Sequence, residues 1–410
     1  MKILWLSQNV PYPPKTGVLQ RNYNLLREAS RIGEVTLLAV VKENILPEEF
    51  DLDEALEQLG KFCERIEIVN LPIESSRLLL LATAFKSLFT RDPFSINWIR
   101  CREMSNKIAT LVREIEFDII HFDTISLAAY HELAGPTPKV LNHHNIESHL
   151  LLRRTLVEEN PVKKQYYQLE GRKLQRYEHD VCPKFDRNFT VSSLDGERLE
   201  EIAPGISTDV IANGVDVDYF YATNDVQPTA GRLIMVSGMN WFPNRDAVLH
   251  MCQDIWPALV KEIPAASWIC VGSSPPPELL SLADQDDRVV VTGFVDDVRP
   301  YMADAQIYLC PMRDGGGTRL KILDAMSMGK PIVATSMAYE GIAVTPEENV
   351  LIADSPAEFV VQIRRLMNDA QLCRTLGENA RSFVTENYSW PVIGKRLADN
   401  YRSIIDGSTG

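Results

Sequence analysis

Short runs rich in β-branched residues alternate with longer helical patterns along almost all of the 410 residues, and this alternation most constrains the fold. It is typical of parallel sheets in which a helix links each strand to the next. It predicts an α/β chain with strands at residues 3–7, 35–41, 65–69, 119–122, 139–142 and 188–191, then at residues 232–237, 267–271, 289–292, 307–310, 331–335 and 350–352.

The two series of strands indicate two Rossmann-like domains. Residues 222–231 are polar and lack apolar periodicity, so they are the predicted linker. We assign residues 1–221 to an N-terminal domain and residues 232–389 to a C-terminal domain. Residues 390–410 are expected to form a helix that packs back on the N-terminal domain. Because ligands of open parallel sheets bind at the carboxyl ends of strands, we expect an active site in a cleft between the two domains.

The net charge and the cysteine content argue against some classes of partner and of cellular compartment. The formal net charge of −14 argues against nucleic acid as a partner, because binding it needs a surplus of Lys and Arg. Seven cysteines without a Cys-x-x-Cys pair indicate reduced thiols in a cytoplasmic protein. The first residues resemble a strand rather than a signal peptide, and no uncharged apolar run reaches the roughly 18 residues that span a bilayer.

The most informative motif is the glycine-rich stretch that starts at Asp314. Gly315, Gly316 and Gly317 stand between a predicted strand and a predicted helix, where backbone amides and the helix start can bind a phosphate. Lys321 and Asp324 follow on one face of that helix, and apolar neighbours give the Asp324 carboxylate a partly buried setting. A glycine-rich turn beside a surface Lys-Asp pair is the alternative, and we favour the phosphate site. The stretch is not a Walker A loop.

The helix that carries Asp324 resembles the C-terminal signature of glycosyltransferase family 4. Asp324 falls on the second acidic position of the family's Glu-x7-Glu element, and Ala325, Met326, Gly329 and Pro331 follow in step. Gly316 stands where the first Glu is usual, so the sequence is more similar to the subgroup with Gly-Gly-Gly-Thr-Arg-Leu-Lys. The resemblance implies a GT-B fold: two Rossmann-like domains whose parallel sheets face an interdomain cleft. The first domain would hold the acceptor and the second the nucleotide-sugar donor.

The resemblance also implies a set of site residues. The catalytic candidates are His144, Arg245 and Lys321, with His144 taken from a segment similar to the family's His-Asn-x-Glu element. The donor-binding candidates are Gly17, Gly238, Asn244, Arg245, Phe294, Val295, Asp314, Gly315, Gly316, Gly317, Thr318, Arg319, Lys321 and Asp324. Two of these have structural alternatives: Arg245 as a surface residue at a helix start, and Gly17 as part of an ordinary strand-to-helix turn. For Asn213 and Gly214 we favour a purely structural turn.

No metal and no cofactor are expected. His143, His144 and Glu147 are adjacent, but no further ligand nearby in the sequence completes a metal site. The nucleotide sugar would be a substrate rather than a cofactor. His121 and His131 are interpreted as structural histidines.

The resemblance implies a retaining, metal-independent transferase that moves a sugar from a UDP- or GDP-sugar. Its acceptor would be a glycan, a lipid-linked molecule or a small molecule, in polysaccharide or glycoconjugate biosynthesis. A catalytically silent nucleotide-binding scaffold of the same fold is an alternative, suggested by Gly316 and by the absence of a Lys beside Arg245. A nucleotide-sugar epimerase is a third interpretation, which the Asp324 helix disfavours.

Two segments of the first domain are unusual. Residues 78–89 are apolar with little charge, which suits either a buried amphipathic helix or a peripheral contact with the inner face of a membrane that offers a lipid-linked acceptor. We favour the buried helix. Residues 150–176 are rich in Lys and Arg and are interpreted as a solvated helical face.

Overall fold

The computed structural model describes residues 1–41, 50–71, 73, 76–221, 226–315 and 318–408. These residues form two compact units. Unit 1 comprises Met1–Ala212 together with Ile393–Gly410, and unit 2 comprises Asn213–Val392.

Unit 1 contains a parallel sheet of seven strands in the order β3-β2-β1-β4-β5-β6-β7 among its described residues. The strands are β1 (Lys2–Ser7), β2 (Glu34–Val41), β3 (Arg65–Asn70), β4 (Ile119–Phe122), β5 (Lys139–Asn142), β6 (Arg187–Thr190) and β7 (Thr208–Val210). Six of them match the predicted strands to within two residues, and β7 was missed. The central strands are buried on both faces, as the near-continuous apolar run of β1 requires.

Helices connect these strands, and several begin at a residue whose side chain caps them, such as Asp51 before α2 and Ser192 before α8. The helices of unit 1 are α1 (Gly17–Ser30), α2 (Leu52–Leu59), α3 (Arg77–Phe89), α4 (Phe94–Ile99), α5 (Arg102–Glu114), α6 (Glu147–Val157), α7 (Pro161–Val181) and α8 (Ser193–Ile202), with 3-10 turns at Ile125–Ala134 and Cys182–Lys184.

Unit 2 repeats the architecture with a parallel sheet in the order β10-β9-β8-β11-β12-β13. Its strands are β8 (Thr229–Val236), β9 (Ser267–Val271), β10 (Val289–Gly293), β11 (Ala305–Cys310), β12 (Ile332–Ala334) and β13 (Leu351–Ile352). Its helices are α9 (Phe242–His250), α10 (Trp256–Glu262), α11 (Pro277–Gln285), α12 (Arg299–Asp304), α13 (Leu320–Ser327), α14 (Pro356–Asn368), α15 (Ala370–Tyr388) and the start of α16 (Trp390–Ser408). A π-turn joins α9 to α10, and a 3-10 turn covers Ser336–Tyr339.

The unit boundary lies earlier than the sequence suggested. Residues 213–221, assigned above to the N-terminal domain, belong to unit 2. The reason is that Val215 forms a bridge with Ser389, and the carbonyl of Phe220 accepts hydrogen bonds from Ser327 and Arg381. The predicted linker also ends too late, because β8 begins at Thr229. Residues 222–225 of that linker lie outside the described residues.

The C-terminal helix α16 returns to unit 1 from Ile393 onward. The hydroxyl of Tyr401 lies 2.7 Å from Nδ1 of His121, whose ring stacks on Trp5 at a centroid distance of 3.7 Å. Gly394 passes so close to Glu28 that a Cβ would lie 2.7 Å from that side chain. These contacts fix the helix on the centre of the unit 1 sheet.

Helix α3 corrects the prediction that residues 78–89 are a buried helix. The side chains of Leu78, Leu81, Phe85 and Phe89 are between 65% and 80% exposed. Apolar composition alone could not reveal this, because an apolar face is compatible with a protein core or with a partner surface. In the part of the chain that the structure describes, we find no helix with the length and apolarity needed to cross a bilayer.

Candidate active site

The carboxyl edge of the unit 2 sheet contains a topological switch point between β8 and β11. The chain leaves β8 toward β9 on one side, whereas β11 is followed by β12 on the other. Ligands of such sheets bind where the order reverses, because the two diverging loops leave a crevice. The loop after β8 carries Gly238, and the loop after β11 carries Asp314 and Gly315.

Lys321 lies in the first turn of α13, after the second loop, and bonds to the first loop and to the helix α9 that follows it. Its Nζ donates to Oδ1 of Asn244 at 2.6 Å and to Oγ of Ser237 at 3.3 Å. Asn244 is in turn fixed by a bond from Nδ2 to the carbonyl of Gly238 at 2.8 Å. Both partners of Lys321 are neutral, and burial lowers the pKa of its ammonium group. An anion bound here would compensate for that lost hydration.

Asp324 lies one turn further along α13. Its carboxylate is half-buried, and no hydrogen bond to it is found from any described residue. Burial raises the pKa of this carboxyl to about 8. A half-buried carboxylate without a partner is costly, so it is suited to accept hydrogen bonds from the hydroxyl groups of a ligand.

We expect Asp324 to make stability fall with rising pH. An unfolded aspartate loses its proton near about pH 4, whereas folded Asp324 keeps its proton to about pH 8. Across this interval the folded state binds more protons, so its free energy of unfolding decreases as pH rises. Asp324→Asn should therefore become more stable relative to the wild type by roughly 2–4 kcal/mol between about pH 5 and pH 9 in urea unfolding without ligand.

Asp284→Asn, which changes an exposed carboxylate of the same unit, is the matched control. Parallel pH curves for the wild type and Asp324→Asn would contradict the assignment of a raised pKa to Asp324.

Residues on either side of the glycine-rich loop make the contacts that position it. Gly315 has φ +119°, and its N–H donates to Oδ1 of Asp314 at 2.7 Å. A Cβ on Gly315 would lie 3.0 Å from Nη2 of the buried Arg319. The Arg319 side chain therefore occupies the space that a side chain at position 315 would need. The carbonyl of Thr318 accepts a hydrogen bond from Asn213 at 3.3 Å. Gly316 and Gly317 lie outside the described residues.

The cations of this site differ in their surroundings. Arg245 is exposed in the first turn of α9, and its guanidinium makes no hydrogen bond or ion pair with any described residue. Arg313, which the sequence analysis missed, binds Asp246 through two bonds of 2.7 and 3.1 Å. Its position three residues after a predicted strand was a signal for a site residue, because ligands bind at the carboxyl ends of such strands. Asp246 therefore neutralises Arg313, whereas no carboxylate among the described residues pairs with Lys321 or Arg245.

Exposed aromatic side chains stand at the same carboxyl edge. Phe294 follows β10 and is 63% exposed, with Val295 half-buried beside it. Trp241, which the sequence analysis did not select, follows β8 and is 45% exposed. Such faces can stack on a base or a sugar ring.

The carboxyl edge of unit 1 contains a second polar group. Nε2 of His144, after β5, lies 3.0 Å from Oδ1 of the fully buried Asp123, after β4. Asp123 also accepts from Asn142 at 3.1 Å, and Asn142 accepts from Arg21 at 2.8 Å. Asp123 was not among the residues predicted from the sequence, although it follows β4 in the way that His144 follows β5.

The other histidines of unit 1 named from the sequence have structural surroundings, whereas the position of Gly17 leaves its predicted role open. His143 is buried against Asn188 at 3.2 Å, and burial lowers its pKa to about 4. His131 contacts the carbonyl of Ala128 at 3.0 Å. Gly17 is exposed at the start of α1. Within the described ranges, no group of three or more His, Cys, Asp or Glu side chains could hold a metal ion.

Residues 230–369, which contain the whole switch-point site of unit 2, match the family described as glycosyl transferases group 1. The chain is 24% identical over 404 residues to an uncharacterized 44.6 kDa protein in the cps region of Klebsiella pneumoniae, covering 94% of this chain and 96% of that protein. It is 23% identical over 261 residues to the lipopolysaccharide core biosynthesis mannosyltransferase LpcC of Rhizobium leguminosarum, covering 60% of this chain and 72% of that one.

The fold has a close counterpart among solved structures. Anabaena HepE in complex with UDP has a TM-score of 0.69 and 16% identity to this chain, over 98% of this chain and 100% of that one. Together with the two parallel-sheet units, this similarity shows that the chain has the GT-B fold, and its residues 230–369 match the group 1 glycosyltransferases.

Proposed function

We propose that the chain transfers a sugar from a UDP- or GDP-sugar to a glycan, lipid-linked or small-molecule acceptor, with retention of anomeric configuration and without a metal. The observation that carries the proposal is the switch point of unit 2. Among the residues that the structure describes there, Lys321 bonds only to neutral side chains and the Asp324 carboxylate accepts no hydrogen bond. A nucleoside diphosphate would supply negative charge to Lys321 and hydroxyl donors to Asp324.

Three groups of the donor, namely the diphosphate, the sugar hydroxyl groups and the base, would each contact different residues. Its diphosphate would meet Lys321 and Arg245, with amides of the glycine-rich loop and the nearby Arg319 contributing further positive potential. Hydroxyl groups of the ribose or the sugar would donate to Asp324. The base would stack near Phe294. Anabaena HepE, which has a similar fold, is in complex with UDP, and this supports a nucleotide ligand.

The main catalytic contribution would be stabilisation of the leaving group. The acceptor hydroxyl oxygen attacks the anomeric carbon on the face from which the diphosphate departs. The carbon–oxygen bond to the diphosphate breaks, and the hydroxyl proton passes to a diphosphate oxygen. His144, oriented by Asp123, is proposed to contact the reacting sugar. Acceptors in glycoconjugate biosynthesis are supported by the mannosyltransferase LpcC as a relative.

The test is a thermal unfolding screen of the full chain against UDP, GDP, ADP and their common sugar conjugates, with and without EDTA. One base should stabilise the protein, by about 2.7 kcal/mol at a hundred times the dissociation constant, and EDTA should not change this. Release of that nucleotide from its sugar conjugate would then establish turnover. Stabilisation by no nucleotide would overturn the proposal, and binding without any turnover would favour a silent scaffold.

A further inference from the structure

Helix α3 exposes an apolar stripe that the fold does not cover. Leu78, Leu81, Phe85 and Phe89 are spaced three, four and four residues apart, so they lie along one face of the helix. Their exposed fractions are 80%, 65%, 65% and 78%. A contiguous exposed surface of large apolar side chains marks an interaction site.

The opposite face of α3 is the one that contacts the protein. Ser87 is buried there, and its Oγ accepts a hydrogen bond from Asn97 at 3.0 Å. Lys173 of α7 donates to the carbonyls of Ser87 and Leu88 at the end of the helix. The helix is therefore held on unit 1 by polar contacts while its apolar stripe points outward, the reverse of an ordinary surface helix.

The charge of this segment suits an anionic surface. Residues 76–91 contain three Lys or Arg and no Asp or Glu, in a chain whose net charge is −14. Lys86 is exposed on α3, and Arg91 just beyond it is 72% exposed while paired with Asp180. Packing of α3 against α3 of a second copy would bring like charges together, whereas anionic lipid headgroups would attract them.

The length of α3 determines how it could meet a bilayer. Thirteen residues extend over about 20 Å, which is too short to cross the hydrocarbon core. Interfacial helices of this kind lie in the membrane plane, with the apolar stripe among the acyl chains and the cations at the headgroups.

We propose that the α3 stripe (Leu78, Leu81, Phe85 and Phe89) docks unit 1 on the surface of an anionic bilayer. Apolar burial provides the attachment, and the cations select anionic over neutral lipid. None of these residues belongs to unit 2, which contains the switch point, so the proposal does not depend on the identity of the donor.

Flotation of the purified full chain with vesicles tests the proposal. We expect binding to vesicles of phosphatidylcholine with phosphatidylglycerol and weaker binding to phosphatidylcholine alone. The double variant Leu81→Ser/Phe85→Ser should lower the partition coefficient by about tenfold or more. Lys86→Glu should weaken binding to the anionic vesicles only, and high salt should act on the wild type in the same direction.

The matched control is Leu280→Ser/Val361→Ser, which removes two exposed apolar side chains of unit 2. It should bind vesicles like the wild type. Because all four positions are exposed, both double variants should unfold at the wild-type urea concentration. The proposal is overturned if the wild type binds neither vesicle, or if the α3 variant binds as well as the control. It is also overturned if the wild type is a dimer, the α3 variant is a monomer and both bind vesicles equally. That result would assign the stripe to contact with a second copy.

Discussion

Lys321→Met should strongly lower the rate of sugar transfer while leaving the protein folded. Methionine retains the length and packing of the side chain but cannot stabilise a departing diphosphate. We expect the nucleotide dissociation constant to rise about 10- to 100-fold and the turnover rate to fall about 100-fold or more. The free energy of unfolding should not decrease, because burial already disfavours the charged Lys321 ammonium, as its lowered pKa indicates. Calorimetric nucleotide binding, donor turnover and urea unfolding measure the three quantities.

Lys261→Met is the control, since this lysine is exposed on α10 of the same unit and should affect none of the three measurements. Loss of stability together with loss of binding would indicate that Lys321 acts by supporting the loops at Asn244 and Ser237. If nucleotide binding and turnover are unchanged in Lys321→Met, Lys321 is not part of the donor site.

The periodicity of the sequence was enough to predict most of the sheet architecture. Both β5 (Lys139–Asn142) and β9 (Ser267–Val271) have the predicted bounds, because buried parallel strands are short, apolar and bordered by polar turns. Strand β7 (Thr208–Val210) was missed because it is a three-residue edge strand with a polar sequence. The unit boundary was misplaced because it depends on contacts such as Val215 with Ser389, which are distant in sequence.

The candidate site was predictable in part. The helix position of Lys321 and Asp324 follows from their spacing, but the partners of Lys321 do not, since Asn244 is 77 residues away. The pairing of Arg313 with Asp246 depends equally on the tertiary structure. The outward stripe of α3 could not be foreseen, because hydropathy measures how apolar a segment is and not what covers it.

Gly272→Ala should strongly destabilise unit 2 and damage the donor site. Gly272 follows β9 with φ +145°, and a Cβ there would lie 1.9 Å from the carbonyl oxygen of Ser237. The substitution therefore adds backbone strain to a steric overlap with main-chain atoms that cannot rotate away. We expect a loss of about 3 kcal/mol or more in the free energy of unfolding, measured in urea. The nucleotide affinity should also fall, since Ser237 binds Lys321.

The variant Gly293→Ala separates the backbone strain from the steric overlap. Gly293 ends the neighbouring strand β10 with φ +71°, but a Cβ there would meet nothing within 4 Å. This control should lose only the strain contribution, about 1 kcal/mol. Equal losses in the two variants would show that the close approach of Gly272 to Ser237 contributes nothing. A larger loss in Gly272→Ala, with weakened nucleotide binding, would mean that the chain after β8 is held against β9 at a distance only glycine allows, and that this approach fixes the position of Lys321.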